Sequence, residues 1–210
     1  MSTENQFDRK QHWEHIYKTK PLHEVSWYQP TPEASLRLII NASKSKSDRI
    51  IDVGGGDSFL VDHLLDEGYT NLTVLDISKA AIERAKERLG SKSDQINWIV
   101  SDITQFSSDA QYDIWHDRAA FHFLTEPYDV NRYQRTLHQH LSKNGHFIVG
   151  TFSENGPKKC SGINISQYSI EALKNMFGGT LELEDSCILD HETPFNTIQN
   201  FSFATFKKRE

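Results

Sequence analysis

The chain has little of what would place a protein outside the cytoplasm or on a polyanion. Its two cysteines, Cys160 and Cys187, stand far apart among 210 residues. Two reduced thiols are expected in preference to a disulfide. No apolar run approaches the roughly 20 residues a membrane helix needs. The start, Met1 to Gln11, is polar and mixed in charge, unlike a secretory leader. The expectation is a cytoplasmic protein without membrane contact. Basic residues are also short, 23 Lys and Arg against 29 Asp and Glu for a formal charge of −6. That balance argues against nucleic acid as a partner. No cysteine cluster or histidine-rich spacing supports a metal site, and His138 and His140, two apart on a helix, point different ways. Internal repeats and low-complexity tracts are absent too.

Four apolar stretches are present instead, each stopping on an aspartate: Ile50 to Asp52, Thr73 to Asp76, Trp98 to Asp102 and Tyr112 to Asp117. In an open, mostly parallel α/β sheet, ligands bind beyond the carboxyl ends of the strands, so acids recurring there mark a binding edge. After the first strand come Gly54, Gly55 and Gly56. Without Cβ atoms, the backbone there turns sharply and approaches a ligand closely. Asp76, twenty residues beyond Gly56, is placed to accept hydrogen bonds from a ribose diol. The pair reads as a nucleoside site.

From Asp48 onward strand and helix signals alternate, which predicts βαβ units and a parallel sheet. Phe59 to Leu65 reads as the helix after the glycines, closed by Gly68. Ser78 caps the next, which Gly90 ends, and Ser169 caps Ile170 to Phe177. Leu181 to Leu189 and Ile198 to Phe206 are strand-like runs with only a short loop between them, so they must be antiparallel. Ahead of the sheet, Gln11 to Lys18 predicts a short amphipathic helix. Thr31-Pro32-Glu33 then predicts an N-cap followed by a first-turn proline. Residues 1–30 are read as an N-terminal segment able to act as a lid, and 31–210 as one domain.

A dinucleotide fingerprint needs a third Gly or Ala where the helix packs on the strand. Phe59 stands there instead. The run Asp52, Gly54, Gly56, Ser58 resembles the first motif of class I S-adenosylmethionine-dependent methyltransferases. Val74 to Ile77, Ser101 to Ile103, Tyr112 to Asp117 and Leu141 to Gly145 match the later signatures in order. The resemblance implies a seven-stranded α/β sheet, Rossmann-like, with the last strand antiparallel and helices on both faces. It implies S-adenosyl-L-methionine as cofactor, with Asp52, Gly54, Gly55, Gly56 and Ser58 at its amino-acid half. Asp76 would take the ribose hydroxyls and Ile77 would lie against the adenine, with Asp102 and Ile103 at the adenine rim. Asp102 could also be a helix-start acid.

The fourth strand and its sequel resemble the seven-strand lysine methyltransferases of the citrate synthase and elongation-factor group, where an Asp, three residues and Asp-Lys-Gly recur. Here Asp113 is followed by Asp117-Arg118-Ala119, and the Ala in place of Gly argues against carrying lysine specificity over. His116, Asp117 and Arg118 are the candidate catalytic residues, with Asp117 or His116 either a base or a group that positions cofactor or substrate, and Arg118 pairing with the acceptor or holding Asp117. Trp27 and Tyr28 are the candidate acceptor-pocket aromatics. The expected partner is a small-molecule or protein methyl acceptor; the sequence fixes no oligomeric state. One rival reading is a non-catalytic nucleotide- or partner-binding module on the same fold. The other is an NAD-dependent oxidoreductase, disfavoured by Phe59 and by the lack of a Ser, Tyr and Lys set.

Overall fold

The computed structural model describes residues 7–209. In chain order these form α1 (Arg9–Thr19), α2 (Glu33–Ala42), β1 (Arg49–Val53), α3 (Leu60–Asp66), β2 (Asn71–Asp76), α4 (Lys79–Leu89), β3 (Ile96–Val100) and β4 (Tyr112–Arg118). There follow α5 (Pro127–His140), β5 (Leu141–Phe152), the small hairpin β6 (Lys159–Cys160) and β7 (Ile163–Asn164), α6 (Ile170–Phe177), β8 (Leu181–Glu192) and β9 (Ile198–Lys208). Seven strands make one sheet in the order β3-β2-β1-β4-β5-β9-β8. Strands β1 to β5 pair in parallel, and β9 runs antiparallel to both its neighbours, β5 and β8. The last strand is therefore the antiparallel one, inserted inside the sheet.

Strand alternation sends consecutive side chains to opposite faces, and both faces are apolar. Ile50, Val74, Ile114 and Ile148 pack under Leu38 and Ile39 of α2, Leu60 and Leu64 of α3 and Ile82 of α4. Their neighbours Ile51, Leu75, Trp115 and Phe147 pack on the other side, under Tyr133 and Leu137 of α5 and Leu173 and Phe177 of α6. Each such burial contributes about 1.5–3 kcal/mol before chain entropy is counted. Ser78 and Ser169 cap α4 and α6 as their positions predict, accepting from Ala81 and Ala172 N–H.

Three boundaries depart from expectation. Helix α2 starts one residue late: Pro32 is its cap, without a side-chain hydrogen bond, and Thr31 accepts from Glu33 N–H through its carbonyl. Strand β5 begins at Leu141, five residues before His146, with Asn144 at φ +58° inside it. The β6–β7 hairpin was not foreseen, although Ser161 (φ +50°) and Gly162 (φ +82°) make the left-handed pair such a turn needs.

Successive strands lead one way from β1 through β2 to β3 and the other way from β4 to β5, so the order reverses between β1 and β4. A crevice opens beyond the carboxyl ends of strands at such a reversal. Helix α1 and residues 22–29 run over this crevice. Arg84 on α4 donates to the Tyr17 and Lys20 carbonyls at 2.9 and 2.8 Å. Glu14 accepts from Ser78 Oγ and Ala80 N at 2.9 and 3.1 Å. Most of the N-terminal segment is thus docked on the sheet domain, while residues 1–6 lie outside the described range.

Candidate active site

The glycine turn leaves β1 with Gly54 at φ +70° and Gly56 at φ +43°, a region that strongly favours glycine. Space is as restrictive as backbone. A Cβ on Gly54 would lie 2.6 Å from Ala120 Cβ, and one on Gly56 would lie 2.7 Å from Asp76 Oδ2 and 3.0 Å from the Tyr17 hydroxyl. A Cβ on Gly55 would strike the Asp52 carboxylate. The turn therefore runs directly between the acids at the ends of β1 and β2.

Each acid has a different set of partners. Asp76 accepts from Ser78 N–H at 2.7 Å through Oδ1, while Oδ2 faces the turn. Burial pushes its carboxyl up to about 7, with Asp52 and Glu14 adding repulsion and the Ser78 N–H opposing. Asp102 is more heavily committed. Its Oδ1 accepts from Thr104 N and Oγ1, both at 2.8 Å, and its Oδ2 is held at 2.9 Å by Arg9 of α1, which also reaches Asp129 at 2.7 Å. The helix-start role for Asp102 is therefore real, on a single turn over Ile103–Gln105. Asp57, a residue the sequence reading passed over, is buried beneath the turn and clamped by Arg84 at 2.9 Å and by Arg88.

At β4, alternation separates residues that are adjacent in sequence. His116 pairs in register with Asp52, and Asp117 with Val53. His116 thus faces α2: because a carboxylate only accepts, its Nδ1 donates to Asp52 Oδ1 at 2.7 Å, leaving Nε2 2.9 Å from Ser35 Oγ. Both ring nitrogens are taken, so the imidazole orients Asp52. Asp117 points to the opposite face and does not line the cavity. It accepts from Tyr133 Oη at 2.8 Å and from Ala120 and Phe121 N–H at 3.1 and 3.0 Å, and burial raises it to about 6. The expectation of Asp117 as a base at the acceptor, or as the partner of Arg118, is corrected. Its carboxylate shapes the turn after β4, where Ala119 sits at φ +65°, a conformation that favours the glycine of the resembling pattern. Arg118 returns to the cavity face.

One cavity gathers Trp27, Tyr28, Asp52, Gly54, Gly55, Ser58, Asp76, Ile77, Asp102, Ile103, His116 and Arg118. Gly56, whose Cβ position abuts Asp76 and Tyr17, is not among the lining residues, and Asp117 lies on the far face of the sheet. Its roof is aromatic. Trp13 packs edge-on against Phe123 and Trp27 with ring centroids 4.8 and 5.7 Å apart, and Tyr17 lies 6.2 Å from Trp27. Phe59, at the start of α3, lies edge-on to Tyr28 at 6.1 Å and beneath the Arg88 guanidinium at 4.4 Å. A bulky ring therefore occupies the place where a pyrophosphate turn would need a small residue. Arg9, Trp13, Phe123, Cys160, Gln199 and Phe201, which stand in none of the sequence motifs, also line the cavity. For Cys160 a signal existed, since the Ser161-Gly162 turn sets it on the wall; the others carry no local signature.

Fold and site together define an open α/β domain with a nucleoside-type crevice at its strand-order reversal. A family model described as a methyltransferase domain matches residues 51–147. Among curated proteins, the chain is 30% identical over 118 residues to malonyl-[acyl-carrier protein] O-methyltransferase 1 of Ilyobacter polytropus, covering 56% of this chain and 42% of that protein. It is 26% identical over 114 residues to the eEF1A lysine and N-terminal methyltransferase of Mus musculus, covering 54% and 16%. The chain thus spans less than half the length of these curated relatives. The fold matches the crystal structure of N-methyltransferase NodS from Bradyrhizobium japonicum WM9 in complex with S-adenosyl-l-homocysteine, with a TM-score of 0.69, 16% identity and coverage of 97% and 100%. Residues 51–147 thus carry a methyltransferase domain, and the fold is that of the class I S-adenosylmethionine-dependent methyltransferases.

Proposed function

We propose that this chain transfers a methyl group from S-adenosylmethionine to a small molecule held under the aromatic roof, between the glycine turn and the end of β4. The observation that carries the small-acceptor reading is the covering of that end by Trp13, Trp27 and Phe123. A side chain on a folded protein would need an open mouth there.

The cofactor supplies an electrophilic methyl carbon on a sulfonium. Asp76, through Oδ2, is assigned to the ribose diol, and the Gly54–Gly56 turn to the amino-acid half beside Asp52. Ile77 and Ile103 are assigned to the adenine faces. Asp102, already bonded to Arg9 and Thr104, has limited capacity left for the adenine amine.

Among the described cavity residues, neither ring nitrogen of His116 is free, and burial raises the Cys160 thiol, so neither offers a ready base. The chain's contribution is then alignment and exclusion of water, which in well-oriented systems amounts to as much as about 7–11 kcal/mol. This suits an acceptor that is already deprotonated near neutral pH, or one that loses its proton after attack.

The test is incubation with methyl-labelled cofactor and a fractionated lysate. Label in the small-molecule fraction is expected. Label only in protein would overturn the small-acceptor reading, and label in neither fraction, despite tight product-cofactor binding, would favour a non-catalytic module.

A further inference from the structure

Arg118 ends β4 on the cavity face, yet its guanidinium is poorly matched by the protein around it. Nη1 donates to the Trp27 carbonyl at a long 3.3 Å, and the group lies 4.8 Å over the Phe201 ring. Nη2 is sealed from solvent without a hydrogen-bond partner among the described residues. Asp52, the acid whose charge favours the guanidinium, makes no hydrogen bond to it and spends Oδ1 on His116. Burial lowers the guanidinium to about 10, so it stays charged at neutral pH. A half-buried guanidinium with a sealed, unpaired Nη2 and no acid hydrogen-bonded to it is costly, and a ligand that supplies an acceptor recovers that cost.

A second unsatisfied group lines the same cavity. Gln199 Oε1 is buried without a partner. Gln199 and Phe201 alternate onto one face of β9, so the amide neighbours the ring that carries the guanidinium. Turned over, the amide presents Nε2 as a donor to the same cavity. The only other Lys or Arg among the described lining residues is Arg9, and it is already paired with Asp102 and Asp129. One free positive charge in an otherwise aromatic end matches one negative charge.

We propose that Arg118, with Gln199, is an anion-recognition subsite, and that the methyl acceptor is a small apolar molecule carrying a carboxylate that pairs with the Arg118 fork. This rests on the small-acceptor methyltransferase reading and deepens it. The planar guanidinium pairs with a carboxylate through two parallel bonds, which fixes orientation as well as affinity.

The test separates the two readings. Calorimetry first measures S-adenosylhomocysteine binding to wild type, Arg118→Gln and Arg118→Lys. Ligand-observed NMR then measures acetate, benzoate, phenylacetate and cinnamate against their uncharged amides, with and without saturating S-adenosylhomocysteine, and phenyl phosphate as a separate arm. At least one carboxylate should bind wild type about tenfold or more tighter than its amide, the scale of one charge-assisted bond. Arg118→Gln should erase that preference, Arg118→Lys should keep part of it, and S-adenosylhomocysteine affinity should change less than about twofold in both.

The proposal is overturned if no carboxylate outbinds its amide on wild type, if phenyl phosphate binds better than every carboxylate, or if Arg118→Gln keeps the preference. It is also overturned if Arg118→Gln instead weakens S-adenosylhomocysteine about tenfold or more, since the arginine would then hold the cofactor. Absence of S-adenosylhomocysteine binding to wild type would sink the cofactor reading alone. The cofactor-free carboxylate comparison would still decide the subsite.

Discussion

At the β1–β3 end of the cavity, the strand-borne groups sit at or just beyond their own strand ends: Asp52, Gly54 and Gly55 of the glycine turn, Asp76 and Asp102. The β4–β9 end is walled by side chains drawn from Trp27, Phe123, Phe152, Cys160, Gln199 and Phe201. The first end is built by local strand–turn–helix chemistry. The second is built by tertiary packing, since Arg118 meets Trp27 across 91 positions. A site needed for one common cofactor can be carried by short-range backbone features, whereas an acceptor pocket is assembled from whatever side chains the fold brings together. Substitutions at the two ends should therefore separate cofactor binding from acceptor recognition.

The largest expected effect lies in the glycine turn. Gly56→Val places branched carbons at φ +43° and within about 3 Å of Asp76 Oδ2 and the Tyr17 hydroxyl. S-adenosylhomocysteine affinity should fall by roughly a hundredfold or more, and unfavourable backbone angles should cost about 1–3 kcal/mol of stability. Circular dichroism with calorimetry reads both. A folded variant with wild-type affinity would mean that the turn is a connector and that the local end does not carry the cofactor.

A smaller effect, with a pH signature, belongs to Asp76. Loss of its charge-assisted bonds in Asp76→Asn, worth roughly 1.5–3 kcal/mol each, should weaken S-adenosylhomocysteine by at least about tenfold. Diol bonding favours the carboxylate, whose folded value is raised by burial to about 7. Affinity should therefore decline as pH falls below 7 and level off above it, and the variant should lose that dependence. For stability without ligand the sign is opposite. The folded state retains a proton that the unfolded chain releases near its ordinary carboxylate value, so this residue's contribution to stability falls as pH rises from about 4 to about 7. Urea unfolding across that range should show a shallower decline in Asp76→Asn. Binding by wild type that does not vary with pH between 6 and 8 would remove the ribose assignment.

The same division explains what was legible in the chain. The sheet, its antiparallel last strand, the glycine turn and the acids at strand ends were readable because alternation, caps and turn residues are short-range signals. Asp117 was misplaced because its neighbours His116 and Arg118 drew it to their side, although a period of two sends it to the other face. The β6–β7 turn was missed despite its Ser-Gly pair. Gln199 and Phe201 were unreadable in another sense: nothing local says that β9 inserts beside β5 and carries them to the crevice.

The smallest effect tests the place where this division is weakest. Arg9 belongs to α1, 93 positions from Asp102, yet it sits at the local end and bridges Asp102 and Asp129 at 2.9 and 2.7 Å. Such partly exposed ion pairs are worth little, so Arg9→Ala should cost no more than about 1 kcal/mol. Helix α1 should stay docked through Glu14 on Ser78 and Ala80 and through Arg84 on the Tyr17 and Lys20 carbonyls. If Arg9 is only a strap across the adenine end, its loss should raise the association and dissociation rates of S-adenosylhomocysteine together by a few fold and shift Kd by less than about threefold, a change under 1 kcal/mol. Freed Asp102 Oδ2 would partly offset the looser roof. Stopped-flow quenching of the cavity tryptophans Trp13 and Trp27 reads both rates. A tenfold weaker Kd with an unchanged association rate would instead make Arg9 a cofactor-holding group contributed from afar, and the local character of that end would fail.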